Sequence, residues 1–398
     1  MPSSREHKAH EEGPVERAVH ALLLPPGPAL FAAVERALSG EGPAVLPLSP
    51  DLPRPALSAA LASLRPTHLV TSEGVRREPD GVPTGAAVII ATSGSTGAPK
   101  GVELTAGALT ASARASLDRL GAARGERWLC CLPPSHISGM QVLVRSLLSG
   151  AAPIIHPRFS PEDVVASGAD HVSLVPTQLR RLLDQGADVS AFRTILLGGA
   201  AAPPGLLAEA RDRGARLVTT YGMSETSGGC VYDGVALDNV DLKIGADGRI
   251  RIAGPVLFSG YRLREERDEF EGDWFVTSDL GAIDGTVDGS ADGGRLTVLG
   301  RADDVINTGG QKVVAAAVAR VLSEHPGVRD VAVVGRPDPE WGEIVVAVVV
   351  GPATLEELRE YAKERLPAYA APRMVQTVQQ IPMLPNGKPD MVALRNQK

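Results

Sequence analysis

A ten-residue run, Thr92-Ser93-Gly94-Ser95-Thr96-Gly97-Ala98-Pro99-Lys100-Gly101, combines the residue types that hold phosphate. Hydroxyls and backbone N–H groups donate to oxygen, glycines let the backbone approach closely, and a lysine adds positive charge. The nucleotide P-loop is a different pattern, with four residues between its glycines and Lys-Ser or Lys-Thr at its end. Here two residues separate Gly94 from Gly97, and a glycine follows Lys100. A plain Gly/Ser surface turn has the same composition.

Four further segments carry groups with chemistry. They are Tyr221-Gly222-Met223-Ser224-Glu225-Thr226, Thr277-Ser278-Asp279-Leu280-Gly281, Gly300-Arg301-Ala302-Asp303-Asp304 and Pro385-Asn386-Gly387-Lys388. Each has an ordinary reading by itself. Glu225 serves as a solvated loop acid, Asp279 as a helix cap, Arg301 as half of a surface pair and Lys388 as a tail lysine.

The elements that must position these groups follow an alternating pattern. Apolar runs at 86–91, 128–132, 171–175, 194–197 and 217–220 predict strands. Helix-period segments at 141–148, 177–183 and 204–213 fall between them, and a helix is predicted over about 105–120. Such alternation predicts an α/β fold of mainly parallel sheets, with ligands beyond the carboxyl ends of the strands. The loop at Gly94, the pair Gly198-Gly199 and the Tyr221 segment all follow strands in this reading. The stretch 284–294 reads as an exposed hairpin tip. Beyond Gly300 the pattern restarts as a small α+β unit. It has a helix at about 312–324, strands at 328–335 and 344–350, and a helix at 354–366. The domain reading is a frayed, disordered tail (1–14), a large N-terminal domain (15–300) and a small C-terminal domain (301–398).

Composition bounds the function. A chain of 398 residues with 43% hydrophobic and 22% charged residues is an ordinary globular protein of two or three domains. A net charge of −7 and only 4% aromatic residues argue against a nucleic-acid partner. Three cysteines at 130, 131 and 230 have no zinc spacing and imply no disulfide framework, so they read as core thiols. No apolar run reaches membrane-spanning length, and the N-terminus has no hydrophobic signal segment. The expectation is a cytoplasmic protein without membrane insertion. Nothing in the sequence excludes a homo-oligomer.

All five segments occur in the order and type of the acyl-adenylate-forming enzymes, which include acyl- and aryl-CoA ligases. The resemblance covers about residues 85–390. It implies a large N-terminal domain, a small mobile C-terminal domain, and two reactions: a carboxylate attacks ATP to give acyl-AMP and pyrophosphate, then a thiol displaces AMP. Charge repulsion and positioning dominate that first barrier, so fixed donors and cations suit it. By this resemblance Thr92, Ser93, Gly94, Ser95, Thr96, Gly97 and Lys100 hold the β/γ-phosphates. Ser224, in place of the family's usual Thr, contacts the α-phosphate, and Glu225 binds Mg²⁺. Tyr221 with Gly222 flanks adenine opposite Gly198, Gly199 and Ala200. Asp279 accepts both ribose hydroxyls with help from Arg301, and Lys388 bridges carboxylate and phosphate. Asp303 is the implied hinge, and Gly309 and Gly310 lie where the thiol arm passes. The family often has Lys-x-Arg where this chain reads Lys388-Pro389-Asp390.

The chain ends at Lys398 without a carrier domain, so free coenzyme A is the expected acceptor. Three stretches further resemble the short o-succinylbenzoate–CoA ligase branch of the family, from menaquinone synthesis. They are Leu132–Gly139 continuing to Arg145-Ser146-Leu147-Leu148, Ser173–Leu179, and Leu196–Ala201. That acid keeps a second, unreacting carboxylate, which needs a buried cation or several donors. Arg145 is the candidate cation and Ser173 a helper, and His136 is the implied gate between acid pocket and thiol tunnel. Arg145 reaching solvent, and His136 as a structural turn residue, are the alternatives. A ligase for another aryl or short-chain acid remains open. So does a non-catalytic nucleotide-binding protein, although the intact set Glu225, Asp279, Arg301 and Lys388 disfavours it.

Overall fold

The computed structural model describes residues 16–92, 99–264, 267–284, 294–383 and 389–396. The chain folds as two compact units. One comprises residues up to Ala106 with the returning segment Phe258–Arg264, and the other Gly107–Leu257 with the described residues beyond Arg264.

The first unit is built on a seven-stranded sheet. Its centre is parallel: Val19–Leu22 pairs with Ala44–Pro47 and His68–Thr71, and Ala44–Pro47 pairs with Val88–Thr92. These central strands are apolar runs because both faces are covered. One edge, Gly74–Arg77, is exposed throughout and carries two arginines, which discourages further pairing. The other side of the sheet, where Gly260–Tyr261 forms the edge strand, departs from the sequence expectation. Lys100–Leu104 is a strand that pairs antiparallel with Val88–Thr92, and the helix Ala106–Leu120 starts only after it. The segment after Thr92 therefore joins two strands, with no helix N-terminus at its end. Val102 and Leu104 are buried around half-buried Glu103, a period-two signal too short to mark a strand.

Arg262 ties the returning segment to this unit. Its side chain is 1% exposed and pairs with Glu103 at 2.9 Å. It also donates to the carbonyls of Leu64, Arg65 and Val82.

The second unit holds another seven-stranded sheet. Trp128–Cys130, His171–Leu174, Thr194–Leu197 and Leu217–Met223 run parallel, and Gly228–Tyr232 joins antiparallel at one side. The helices Ile137–Ser149, Pro176–Asp184 and Pro204–Asp212 link them as expected. Residues 139–146 of the first helix are buried one after another, so it is enclosed on all sides. An antiparallel sheet follows, with Trp274–Asp284 at its centre and Arg295–Arg301 beside it. Most of the expected tip at 284–294 lies outside the described residues, as does the tail 1–14.

A short turn, Ala302–Asp304, leads into the last sheet. Its long strands Asp330–Asp338 and Gly342–Val350 pair over nine positions. Val345, Ala347 and Val349 pack on one face, Val346, Val348 and Val350 on the other. The expected helix at 312–324 begins later, as Ala315–Leu322. Gln311–Val314 instead pairs with Val305–Thr308. Gly309 and Gly310 form the two-residue turn between them at φ 56° and 77°, the backbone such a hairpin requires.

The three cysteines are buried and free. Burial pushes the Cys130, Cys131 and Cys230 thiols up to about 12. All three therefore stay protonated at neutral pH. Native protein at pH 8 is expected to resist alkylation by iodoacetamide, whereas denatured protein takes up three labels, counted by mass spectrometry. Arg262→Ala removes a buried cation and leaves its acceptors unpaired. It is expected to cost the first unit about 3–5 kcal/mol, read as lost hydrogen-exchange protection in Ala44–Pro47 and Val88–Thr92.

Candidate functional site

Three side chains from strands of two sheets form a polar cluster. Tyr221 lies within the strand Leu217–Met223 rather than beyond it, and its hydroxyl donates to Asp279 Oδ2 at 2.9 Å. Asp279 stands directly across the ladder from Arg301. Arg301 Nη1 is 3.9 Å from Asp279 Oδ1, and its Nη2 donates to Asp303 Oδ2 at 2.8 Å. The Asp279 side chain is only 16% exposed. Buried Thr277 braces it, with Oγ1 accepting from Asp279 N at 3.1 Å and donating to Ile250 O at 2.9 Å. Burial, then the Asp279 carboxylate, push the Tyr221 phenol far above its usual range, so it stays a donor. A sheltered carboxylate with two oxygens and an adjacent guanidinium can accept from two neighbouring hydroxyls, as a ribose presents.

The strand ends in a tight turn, Ser224–Thr226. Thr226 is fully buried; its Oγ1 accepts from Met223 N at 2.9 Å and donates to Gly228 O at 2.7 Å. The next carbonyl, of Ser227, accepts from Ser112 Oγ at 3.0 Å and Gln141 Nε2 at 2.6 Å. These bonds fix the turn from inside, and Ser224 and Glu225 stand half-buried on it. Gly222 is required by close approach: a Cβ there would lie 2.0 Å from Gly228 O. Gly198, Gly199 and Ala200 follow the strand Thr194–Leu197, and Gly198 N donates to Leu174 O at 3.1 Å. Among the described residues no group of three or more His, Cys, Asp or Glu could hold a metal. Glu225 alone suits an ion whose other ligands are phosphate oxygens and water, as for Mg²⁺.

The helix Ile137–Ser149 carries Arg145 into the core, where it is 5% exposed. The solvent-reaching alternative is thereby excluded. Arg145 Nη2 donates to Ser173 Oγ at 3.0 Å, Cζ lies 4.4 Å from the centre of the Trp128 ring, and Nε is buried without a partner. No carboxylate pairs with it among the described residues. Burial lowers the guanidinium's affinity for its proton, yet arginine stays charged in proteins. His136 is exposed just before the helix, and its side chain does not cap the first turn.

The remaining expected residues are dispersed along the chain. Thr92 Oγ1 is 3.4 Å from Lys100 O, and Lys100 Nζ lies 5.2 Å from the centre of the Tyr261 ring. Asp303 sits in the Ala302–Asp304 turn. Gly309 and Gly310 have a local reason in the hairpin, and Gly309 N donates to Trp341 O at 2.8 Å. Ser93, Gly94, Ser95, Thr96, Gly97 and Lys388 lie outside the described residues. Sequence reasoning missed Trp128, Gln141 and Thr226. Gln141 had a signal, a neutral polar residue inside an apolar helix pattern; Thr226 and Trp128 gave none beyond proximity to other motifs.

The chain is similar to known proteins over most of its length. Residues 73–262 match the family described as AMP-binding enzyme, and residues 309–388 its C-terminal domain. A probable 2-succinylbenzoate–CoA ligase of Mycobacterium tuberculosis is 41% identical over 397 residues, 94% of this chain and 97% of that protein. The solved o-succinylbenzoate CoA synthetase of Bacillus subtilis, in complex with the acyl-adenylate intermediate OSB-AMP, superposes with a TM-score of 0.81 at 29% identity. That match covers 96% of this chain and 88% of the other. The same enzyme with ATP and magnesium ion gives a TM-score of 0.79 at 29% identity, over 96% of this chain and 89% of that one.

Proposed function

Given that this chain belongs to the AMP-binding enzyme family, we propose that it is an AMP-forming ligase joining 2-succinylbenzoate to coenzyme A, a cytoplasmic step of menaquinone synthesis. In the first half-reaction a carboxylate oxygen attacks the α-phosphorus of ATP, and the bond to pyrophosphate breaks. In the second the sulfur of coenzyme A attacks the acyl carbonyl, and AMP leaves with the bonding pair.

The residue roles are those that the resemblance to acyl-adenylate-forming enzymes implies. Asp279 and Arg301 hold the ribose, and the Tyr221 ring flanks adenine beside Gly198, Gly199, Ala200 and Gly222. Ser224 donates to the α-phosphate. Glu225 contributes a carboxylate to Mg²⁺, which when bound neutralises phosphate charge. The loop Thr92–Lys100 holds the distal phosphates, and Lys388 sits between carboxylate and α-phosphate during adenylation. The small domain (301–398) turns about Asp303 between half-reactions, exchanging Lys388 for the Gly309-Gly310 hairpin and the thiol arm, with His136 between acid and thiol.

The observation that carries the acid's identity is Arg145, a guanidinium 5% exposed with no carboxylate beside it among the described residues. Desolvating an ion costs several kcal/mol unless a partner offsets it. A substrate with a second carboxylate supplies that partner, assisted by Ser173. A simple monocarboxylic acid does not.

The decisive assay mixes protein, ATP, Mg²⁺, coenzyme A and 2-succinylbenzoate. Thioester and AMP are the expected products, and failure to release pyrophosphate with any acid would leave a nucleotide-binding protein instead. Arg145→Met is expected to raise KM for 2-succinylbenzoate by about 30-fold, the lower bound for truncating one side of a buried charge contact, with KM for ATP nearly unchanged. Lys388→Ala should slow adenylation ~10²–10³-fold. It should spare thioester formation from supplied acyl-AMP, as followed by rapid quench of each half-reaction.

A further inference from the structure

Arg145 keeps its charge in the core with a single hydroxyl as its hydrogen-bond partner among the described residues. The group that faces it is the indole of Trp128, with Cζ 4.4 Å from the ring centre. Trp128 is fully buried, and it stacks on His171 with ring centres 4.6 Å apart and planes 23° apart. His171 is itself 2% exposed, and its Nε2 lies 2.9 Å from Glu126 Oε2. Arg193 Nη1 holds the same carboxylate at 3.1 Å. The indole is therefore braced from behind and cannot easily turn.

An aromatic face attracts a cation through its quadrupole, and the attraction grows when water is excluded. It differs from a carboxylate in one respect that matters for binding. It stabilises the cation without occupying its N–H edges or cancelling its charge. Arg145 Nε and Trp128 Nε1 are both buried and unpartnered among the described residues. A carboxylate in the place of Trp128 would close the site, since an incoming anion would have to displace it.

We infer that Trp128 is a positioning residue for acid recognition: its ring face holds the Arg145 guanidinium in place and still charged, so that the N–H edge receives the substrate's second carboxylate. The inference rests on Arg145 binding that carboxylate. Trp128→Leu should raise KM for 2-succinylbenzoate about tenfold, equal to about 1.4 kcal/mol. KM for ATP should stay within about twofold, and so should KM for 3-benzoylpropionate, which lacks the ring carboxylate. Trp128→Phe keeps a weaker face and should cost about threefold; it carries the test if the leucine variant does not fold. An unchanged KM for 2-succinylbenzoate, or an equal rise for all three substrates, overturns the role of Trp128. Arg145→Met measured alongside separates the two levels. If it raises KM while the Trp128 variants do not, only the Trp128 role falls; if neither changes KM, the acid-site reading falls with it.

Discussion

A positive charge held out of water, with no negative charge to meet it among the described residues, is the constraint on which the second unit turns. Arg145 sits on a helix enclosed on all sides, and each neighbouring element supplies one part of its surroundings. The strand His171–Leu174 gives Ser173, and the strand Trp128–Cys130 gives the indole. A lone ion in such a place destabilises the fold unless its surroundings or a ligand compensate it. Retaining it makes physical sense when binding an anion is what the protein must do.

The cluster of Tyr221, Asp279 and Arg301 uses a different device. Asp279 and Arg301 face each other because the antiparallel register puts them there, and Tyr221 reaches the same carboxylate from a strand of another sheet. Strand positions are rigid, so the carboxylate is held in a fixed orientation. The turn after Tyr221 gains similar rigidity from buried Thr226 and from the Gln141 amide. Charge then runs onward from Arg301 to Asp303, and Asp304 takes up Arg395 at 2.6 Å. A turn linking two sheets is thus tied on one side to the Asp279 cluster and on the other to the last helix, Met391–Asn396. Both bonds are largely exposed, where ion pairs hold weakly and exchange readily.

Much of this was legible in the sequence. The buried strands announced themselves as apolar runs, as at 194–197 and 344–350, because a strand covered on both faces has no polar side to show. Tyr221, Glu225, Asp279 and Arg301 were recognisable as members of ordered motifs. Short elements were not. Lys100–Leu104 and Gln311–Val314 are too brief for a period to emerge, so the first reads as part of the connection between strand and helix and the second as the start of the helix that follows it.

The sequence by itself determined the residue types and the parallel strands, because these depend on local pattern, and its resemblance to the acyl-adenylate-forming enzymes pointed to the class of chemistry. Only the tertiary structure decided the state of those groups. Whether Arg145 reached solvent or stood in the core depended on how its helix was enclosed, and no spacing along the chain encodes that. The indole that faces it and the hydroxyl of Ser173 lie 17 and 28 residues away from it in sequence. Contacts at that range come from packing whole elements together, which is where charge, burial and partner are set.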